Sequence, residues 1–210
     1  PCADFAYWAA QKERLKDSIK MIVNPYPVCK FTEDYFDFYR ECKMKGVLCP
    51  KTYHNNNEVD SFPLIAKSRD KMEYKKLFNM RQVYNFTVGR NDLVLQKFIE
   101  GTVFEVDFLD EWLQVRLLPK SFPHITQIID SDTVNKNYFS IVIKSLGIKF
   151  GTLRFVSDKN KDYIIDAWPM FKWEALFINP SIIDGLLKGS TPKSVKGKLV
   201  KVPHAIVMEV

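Results

Sequence analysis

The sequence is poor in glycine and histidine. It has eight glycines and three histidines among 210 residues. Neither of the glycine-rich phosphate-binding motifs, GxxxxGK[ST] and GxGxxG, occurs. We therefore expect nucleotide-dependent chemistry of the familiar kinds to be absent, and we expect no cofactor.

Long apolar runs are also missing. The longest one spans residues 5–10, far short of the about 20 residues that a membrane-spanning helix needs. Hydrophobic residues make up 46% and charged residues 27%, which is typical of a globular protein. We expect no membrane span. Because the chain begins with Pro1 rather than Met, we expect a processed or truncated product, with an intracellular or organellar location slightly favoured.

All four cysteines lie within the first 49 residues, at Cys2, Cys29, Cys42 and Cys49. Their spacings lack the CxxC pair of structural zinc sites, so we expect no metal site from the last three with His54. Free buried thiols are the favoured interpretation, and one or two disulfides are the alternative.

The spacing of apolar residues changes near residue 100. Before it, intervals of three, four and seven predict helices over about 5–22, 32–42 and 68–84. Beyond it, alternation predicts a hairpin of 104–108 with 113–117 and further strands near 139–143, 148–156, 163–165, 199–202 and 205–208. Asn179-Pro180 and Gly189 enclose one short helix.

These patterns predict an α+β fold, in which a helical N-terminal third packs on a C-terminal antiparallel β-sheet or partly open β-barrel. We divide the chain into a mainly helical region, 1–98, and a β-rich region, 99–210. One continuous domain is the alternative.

One histidine lies in a short motif, FPHIT at residues 122–126, which contains His124 and Thr126. This motif resembles one half of the paired H-x-[ST] signature of the two-histidine phosphoesterases, in which two histidines act as acid and base on a phosphodiester. His204 is the candidate partner, although no hydroxyl residue follows it at the matching position. The resemblance implies an alternative function, a phosphodiesterase using His124, Thr126 and His204.

The acidic residues give no site. We interpret them as parts of turns or solvated strand faces, and a short pair such as Asp130 and Asp132 is too little for a metal site. The residues concerned are Asp107, Asp110, Glu111, Asp130, Asp132, Asp158, Asp162 and Asp166.

The basic residues form two clusters, and the net charge is +6. Uncompensated positive charge suits phosphate backbones or anionic protein surfaces. We therefore predict a non-enzymatic binding or assembly protein that contacts nucleic acid or an acidic protein surface in a larger complex, such as a ribonucleoprotein. A secreted or viral protein-interaction factor with disulfides is a further alternative. The predicted contact residues are Lys188, Lys193, Lys196, Lys198 and Lys201, with Lys71, Lys75, Lys76 and Arg81 on the predicted third helix.

Overall fold

The computed structural model describes residues 24–71, 73–118, 125–129, 135–159, 161–195 and 199–201. The helices among them are α1 (Tyr26–Glu33), α2 (Tyr35–Met44), α3 (Met80–Thr87), α4 (Lys136–Leu146), α5 (Trp173–Ile178) and α6 (Ser181–Lys188), with a short 3₁₀ helix at Asn56–Glu58. The strands are β1 (Thr52–Tyr53), β2 (Leu64–Ser68), β3 (Tyr74–Leu77), β4 (Leu93–Lys97), β5 (Thr102–Leu109), β6 (Trp112–Leu118), β7 (Ile125–Ile129), β8 (Phe150–Ser157), β9 (Asp162–Trp168) and β10 (Leu199–Lys201).

The strands form two antiparallel sheets. The smaller has the order β1-β4-β2-β3, and the larger has the order β10-β7-β6-β5-β8-β9. The predicted α+β class is confirmed, with helices early in the chain and the larger sheet in its C-terminal half. Residues 98–101 connect the two sheets, so the predicted boundary lies in this connection. The division into two domains stays a prediction.

The first described helices begin differently from the prediction. The second helix was predicted to begin near residue 32, but Thr32 lies within α1, whose N-cap is Pro25. At a helix start, the N–H that proline lacks has no helical partner to lose. The cap of α2 is Asp34, whose carboxylate accepts hydrogen bonds from the N–H groups of Phe36 and Asp37. The predicted helix at 5–22 lies outside the described residues.

The predicted helix at 68–84 is wrong over its first half. This segment forms the hairpin partner β3 and then α3. In β3, only Leu77 is buried, so a single apolar position could not show the period of the strand.

The predicted strand at 139–143 is also wrong, because this segment lies in α4. Phe139, Val142, Ile143 and Leu146 are buried at helical intervals of three and four. The expected alternation depended on Ile141, which is 62% exposed and points away from the core.

The other predicted elements described by the structure are present. The hairpin of β5 and β6 turns at Asp110-Glu111, and β8 and β9 follow it. Gly189 ends α6 in the left-handed conformation that glycine adopts readily. β10 corresponds to the first of the two predicted C-terminal strands, and the second lies outside the described residues.

The larger sheet has one apolar face and one polar face. Phe104, Val106 and Phe108 on β5 pack in the main core, together with the apolar side of α4. Glu105 and Asp107 alternate with them and therefore face the other way. Both carboxylates are nevertheless buried. This part of the polar face is thus shielded from solvent, although its side chains are charged.

Candidate functional site

A cavity of about 250 Å³ lies between the two sheets. The smaller sheet contributes residues of β2, β3 and β4, and the larger sheet contributes residues of β5, β8 and β9, with the 98–101 connection at one side. Most of its lining is apolar, and three cations, Lys67, Lys97 and Arg154, lie among these residues. The lining consists of Tyr35, Pro50, Ile65, Lys67, Tyr74, Gln96, Lys97, Phe98, Ile99, Val103, Arg154, Val156 and Ile165.

Charges of opposite sign alternate across four strands beside this cavity. Arg116 on β6 pairs in register with Glu105 on β5, and Glu105 pairs with Arg154 on β8. Arg154 pairs in register with Asp166 on β9. The guanidinium nitrogens of Arg116 and Arg154 lie 2.9 and 2.6 Å from the two oxygens of Glu105. We call these four residues the charge row.

Three neighbouring residues, Asp107, Thr152 and Lys172, make further contacts with the charge row or with each other. Arg116 also binds both oxygens of Asp107, at 2.5 and 2.8 Å, and the Thr152 hydroxyl donates to the same carboxylate at 2.7 Å. The Lys172 ammonium lies 2.8 Å from Glu105. Burial alone raises the pKa of Glu105, but the charges of Arg116, Lys172 and Arg154 outweigh it and lower the pKa to about 2.

Lys67 is a buried lysine in an otherwise apolar strand. Its ammonium donates to the Tyr39 hydroxyl at 2.6 Å and to the Ile165 carbonyl at 3.2 Å. The pairing of β8 with β9 shifts between Arg154 and Phe155, which leaves Ile165 as an extra residue with its carbonyl outside the ladder. Loss of solvation, partly offset by the charge of Asp166, lowers the pKa of Lys67 to about 7.

Lys71 lies beside Asp166, between β2 and β3. Its ammonium is 2.6 Å from Asp166 Oδ1 and 2.8 Å from the Ala167 carbonyl oxygen. The Tyr35 hydroxyl donates to Asp166 Oδ2 at 2.7 Å. Burial raises the pKa of Asp166, but Lys71 and the hydrogen bond from Tyr35 lower it below its usual value.

Trp168 is contacted by three cations. The charged groups of Lys172, Arg154 and Lys71 lie 4.4, 4.9 and 5.5 Å from the ring centroid. Such contacts attract the cations to the face of the ring. The indole therefore holds three positive groups together beside the charge row.

The structure places the predicted basic residues at several different locations. Lys71 is at the cleft, whereas Lys75 and Lys76 lie on β3 over the rings of Phe86 and Phe98. Their assignment to a helix, shared with Lys71, is wrong. The remaining residues are distributed as follows: Arg81 is on α3, Lys188 pairs with Asp184 at 2.7 Å, Lys193 follows α6, and Lys201 ends β10, whereas Lys196 and Lys198 lie outside the described residues.

The residues of the phosphodiesterase alternative cannot be placed. His124 and His204 lie outside the described residues, and Thr126 belongs to β7. Cys42 and Cys49 are free thiols in the structure and Cys29 is buried, while Cys2 lies outside the described part. Within the described ranges, no three His, Cys, Asp or Glu residues are arranged to hold a metal ion.

The sequence-based interpretation missed most of the cleft. Asp107 and Asp166 were assigned to solvated positions, which is wrong, because they are 0% and 4% exposed. Lys67 was not identified, although a lysine directly after the apolar run LIA is an available signal. No helix in the part of the chain described here is long and apolar enough to cross a bilayer.

No protein-family model and no curated protein sequence matches the chain. Solved structures do. An L-amino acid ligase from Bacillus licheniformis is 14% identical with a TM-score of 0.67, over 90% of this chain and 54% of that one. The biotin carboxylase domain of the 2-oxoglutarate carboxylase from Hydrogenobacter thermophilus, in complex with MgADP, ADP and bicarbonate, is 17% identical with a TM-score of 0.65, over 91% and 52%.

A third match gives the fold its name. A RimK domain protein, described as ATP-grasp, from Sphaerobacter thermophilus is 12% identical with a TM-score of 0.55, over 69% of this chain and 62% of that one. The chain therefore has an ATP-grasp-like fold. It spans about half the length of the ligase and carboxylase chains that it matches.

These matches correct the function predicted from the sequence. A non-enzymatic protein that binds nucleic acid was expected, but the proteins of similar fold are ligases and carboxylases. The absence of nucleotide chemistry was expected from the missing glycine-rich motifs. One of the structures of similar fold, the biotin carboxylase domain, was determined with ADP.

Proposed function

We propose that the cleft between the two sheets binds an adenine nucleotide, ATP or ADP, as part of an ATP-dependent enzyme of the ligase or carboxylase type. The observation that carries this proposal is the position of Lys67. Its buried side chain lines the apolar cavity between the two sheets. A structure of similar fold, the biotin carboxylase domain, contains ADP.

The apolar part of the cavity suits the adenine ring. Ligand pockets are mostly apolar with a few placed polar groups, and Ile65, Phe98 and Val156 supply the apolar surface here. Gln96, at the end of β4, supplies an amide in the same lining. The cavity is somewhat smaller than the roughly 300–1,000 Å³ of typical ligand pockets, so it accommodates only part of a nucleotide.

The charged part of the cleft suits the phosphates. Five cationic side chains meet three carboxylates in this region, which leaves a positive surplus when all are ionised. Lysine and arginine bind phosphate oxygens through charge-assisted hydrogen bonds. The cations are Lys67, Lys71, Arg116, Arg154 and Lys172, and the carboxylates are Glu105, Asp107 and Asp166.

The magnesium ion that accompanies ADP in the carboxylase complex does not fit these residues. Mg²⁺ is usually held by one or two carboxylates together with phosphate oxygens and water. Glu105, Asp107 and Asp166 are each already bound by cations of the protein. These three carboxylates are therefore not available to hold a magnesium ion.

The proposal is tested by titrating the purified chain with ATP and with ADP in a calorimeter. The wild type should bind at least one of them saturably, and Lys67→Met should bind at least about tenfold more weakly, because one phosphate contact to a charged group is worth about 1.5–3 kcal/mol. Lys188→Met is the matched control, since Lys188 is an exposed lysine with its own ion pair on α6.

Two results would overturn the proposal: no binding of either nucleotide to the folded wild type, or equal affinity in the wild type and Lys67→Met. Folding is checked by thermal melting. Methionine removes the buried charge and keeps most of the length of the unbranched side chain, so we expect the Lys67→Met variant to fold.

A further inference from the structure

We propose that the nucleotide phosphates are held in this cleft by cations of the protein alone, with no divalent cation bound by the described residues of the cleft. This inference rests on the proposed nucleotide binding and specifies how the site recognises the phosphates.

The first argument is the position of Arg154 in the charge row. Its register partners are Glu105 on one side and Asp166 on the other. A divalent cation bridging these two carboxylates would have to occupy the place of the guanidinium. Arg154 thus fills the position at which a metal ion would join β5 to β9.

The second argument is the state of the carboxylate oxygens. Oε1 of Glu105 accepts from Arg154 and Lys172, and its Oε2 is paired with Arg116. Oδ1 of Asp166 accepts from Lys71 and from the Ala167 N–H, and its Oδ2 accepts from the Tyr35 hydroxyl. All four oxygens are already engaged.

Asp107 is engaged in the same way. Its Oδ1 accepts from Arg116 and from the Thr152 hydroxyl, and its Oδ2 accepts from Arg116. A metal ion could bind here only by displacing a buried cation. Leaving such a cation unpaired costs several kcal/mol.

The third argument is which charges a ligand can reach. The side chains of Lys71, Lys172 and Arg154 are 12%, 21% and 30% exposed, whereas those of Asp166 and Glu105 are 5% and 1% exposed. The carboxylates lie behind the cations. An approaching anion therefore meets positive groups, and a cation meets no accessible carboxylate of the row.

Trp168 supports the same interpretation. It holds Lys71, Arg154 and Lys172 against one ring. Holding three like charges together has an electrostatic cost, and a polyphosphate would offset it. The indole ring is also a natural fluorescence reporter of phosphate binding.

The experiment measures ATP affinity in excess EDTA and in excess MgCl₂. Mg²⁺ neutralises about half of the charge of ATP, so affinity should be equal or higher in EDTA, by up to about tenfold, because the protein then meets more negative charge. In parallel, Mn²⁺ alone is added to the chain and followed by electron paramagnetic resonance. It should remain free in solution.

Variants at Arg154 make the test specific. Arg154→Gln should weaken binding in EDTA by about tenfold. Arg154→Lys, which keeps the positive charge, should lose less. Arg40→Gln is the control, because Arg40 is an exposed arginine paired with Asp37. Arg154→Glu replaces the cation between Glu105 and Asp166 by a third carboxylate. The ATP affinity of this variant should rise on addition of Mg²⁺.

The outcomes separate this inference from the proposed function. Binding that requires Mg²⁺ in the wild type would overturn the inference and leave nucleotide binding in place. Unchanged affinity in folded Arg154→Gln, or Mn²⁺ bound by the wild type alone, would also overturn it. No binding under either condition would overturn nucleotide binding, and with it this inference.

Discussion

The ammonium of Lys67 donates its shortest hydrogen bond, at 2.6 Å, to the hydroxyl of Tyr39. Burial raises the pKa of Tyr39 well above its usual value, so this partner is neutral at ordinary pH. Lys67 is therefore a buried cation whose direct hydrogen-bond partners, the phenol and the Ile165 carbonyl, carry no charge. This arrangement determines both its stability cost and its value for binding an anion.

Stability should depend on pH through Lys67. Its pKa is about 7 in the folded protein and ordinarily 10.5, so between these values the unfolded chain holds a proton that the folded protein has released. The unfolding free energy of the wild type should therefore rise with pH in this window relative to Lys67→Met, by at most about 1.4 kcal/mol per pH unit. Below pH 7 the difference should be constant. Urea unfolding at a series of pH values measures it, and a difference that falls between pH 7 and 10 contradicts the assignment.

Nucleotide affinity should depend on pH in the opposite direction. Only protonated Lys67 attracts phosphate, so ATP affinity should fall as pH rises above about 7. Lys67→Met removes this dependence and leaves that of the nucleotide itself, which makes it the reference. Calorimetric titrations of both proteins from about pH 6 to about pH 8.5 measure the effect, because this range includes the pKa of Lys67. Parallel pH profiles would show that Lys67 does not contact the phosphates.

Arg116 should be essential for stability. It is 1% exposed and pairs with Glu105 and Asp107. Replacing it by methionine leaves two buried carboxylates with fewer partners, which should lower the unfolding free energy by about 3 kcal/mol. Arg40→Met, in an exposed pair, should cost less than about 1 kcal/mol. Chemical denaturation of both variants compares them, and equal losses would mean that the buried pair contributes no more than a surface pair.

Gly151 should tolerate no side chain. Its φ is +147°, and a Cβ atom there would collide with the backbone carbonyl of Trp168. Gly151→Ala should lower the unfolding free energy by about 3 kcal/mol. Gly89 is a matched control with φ of +72° and no atom within 4 Å of the same Cβ, so Gly89→Ala should cost only about 1 kcal/mol. Thermal melting ranks the two, and the reverse order would mean that the backbone of β8 can move away from Trp168.

The fold was predictable from the sequence where local patterns reflect burial. The hairpin of β5 and β6 alternates cleanly because one face packs in the main core and the other is charged. α6 was identified from Pro180 and Gly189, which are signals of the backbone rather than of packing. β3 was missed because one buried residue carries no period.

The site was not predictable in the same way. Lys67 and Ile165 are 98 residues apart in sequence, and Lys71 and Asp166 are 95 apart. Alternation shows that Glu105 and Asp107 share a face, but it does not show that both carboxylates are buried there. The sequence pattern of a strand with a charged face is the same whether that face is solvated or pairs with buried cations such as Arg116 and Arg154.

The extra residue in β9 has a consequence for the opposite sheet. With Ile165 inserted, Ile164 and Ala167 both reach the main core while Asp166 faces the cleft, and the Ile165 carbonyl accepts from both Lys67 and the Tyr39 hydroxyl. Shortening β9 by this one residue would remove the acceptor that these two side chains share. The length of one strand therefore decides which acceptor a lysine of another sheet meets, and an insertion or deletion here would rearrange the cleft without changing any of its charged residues.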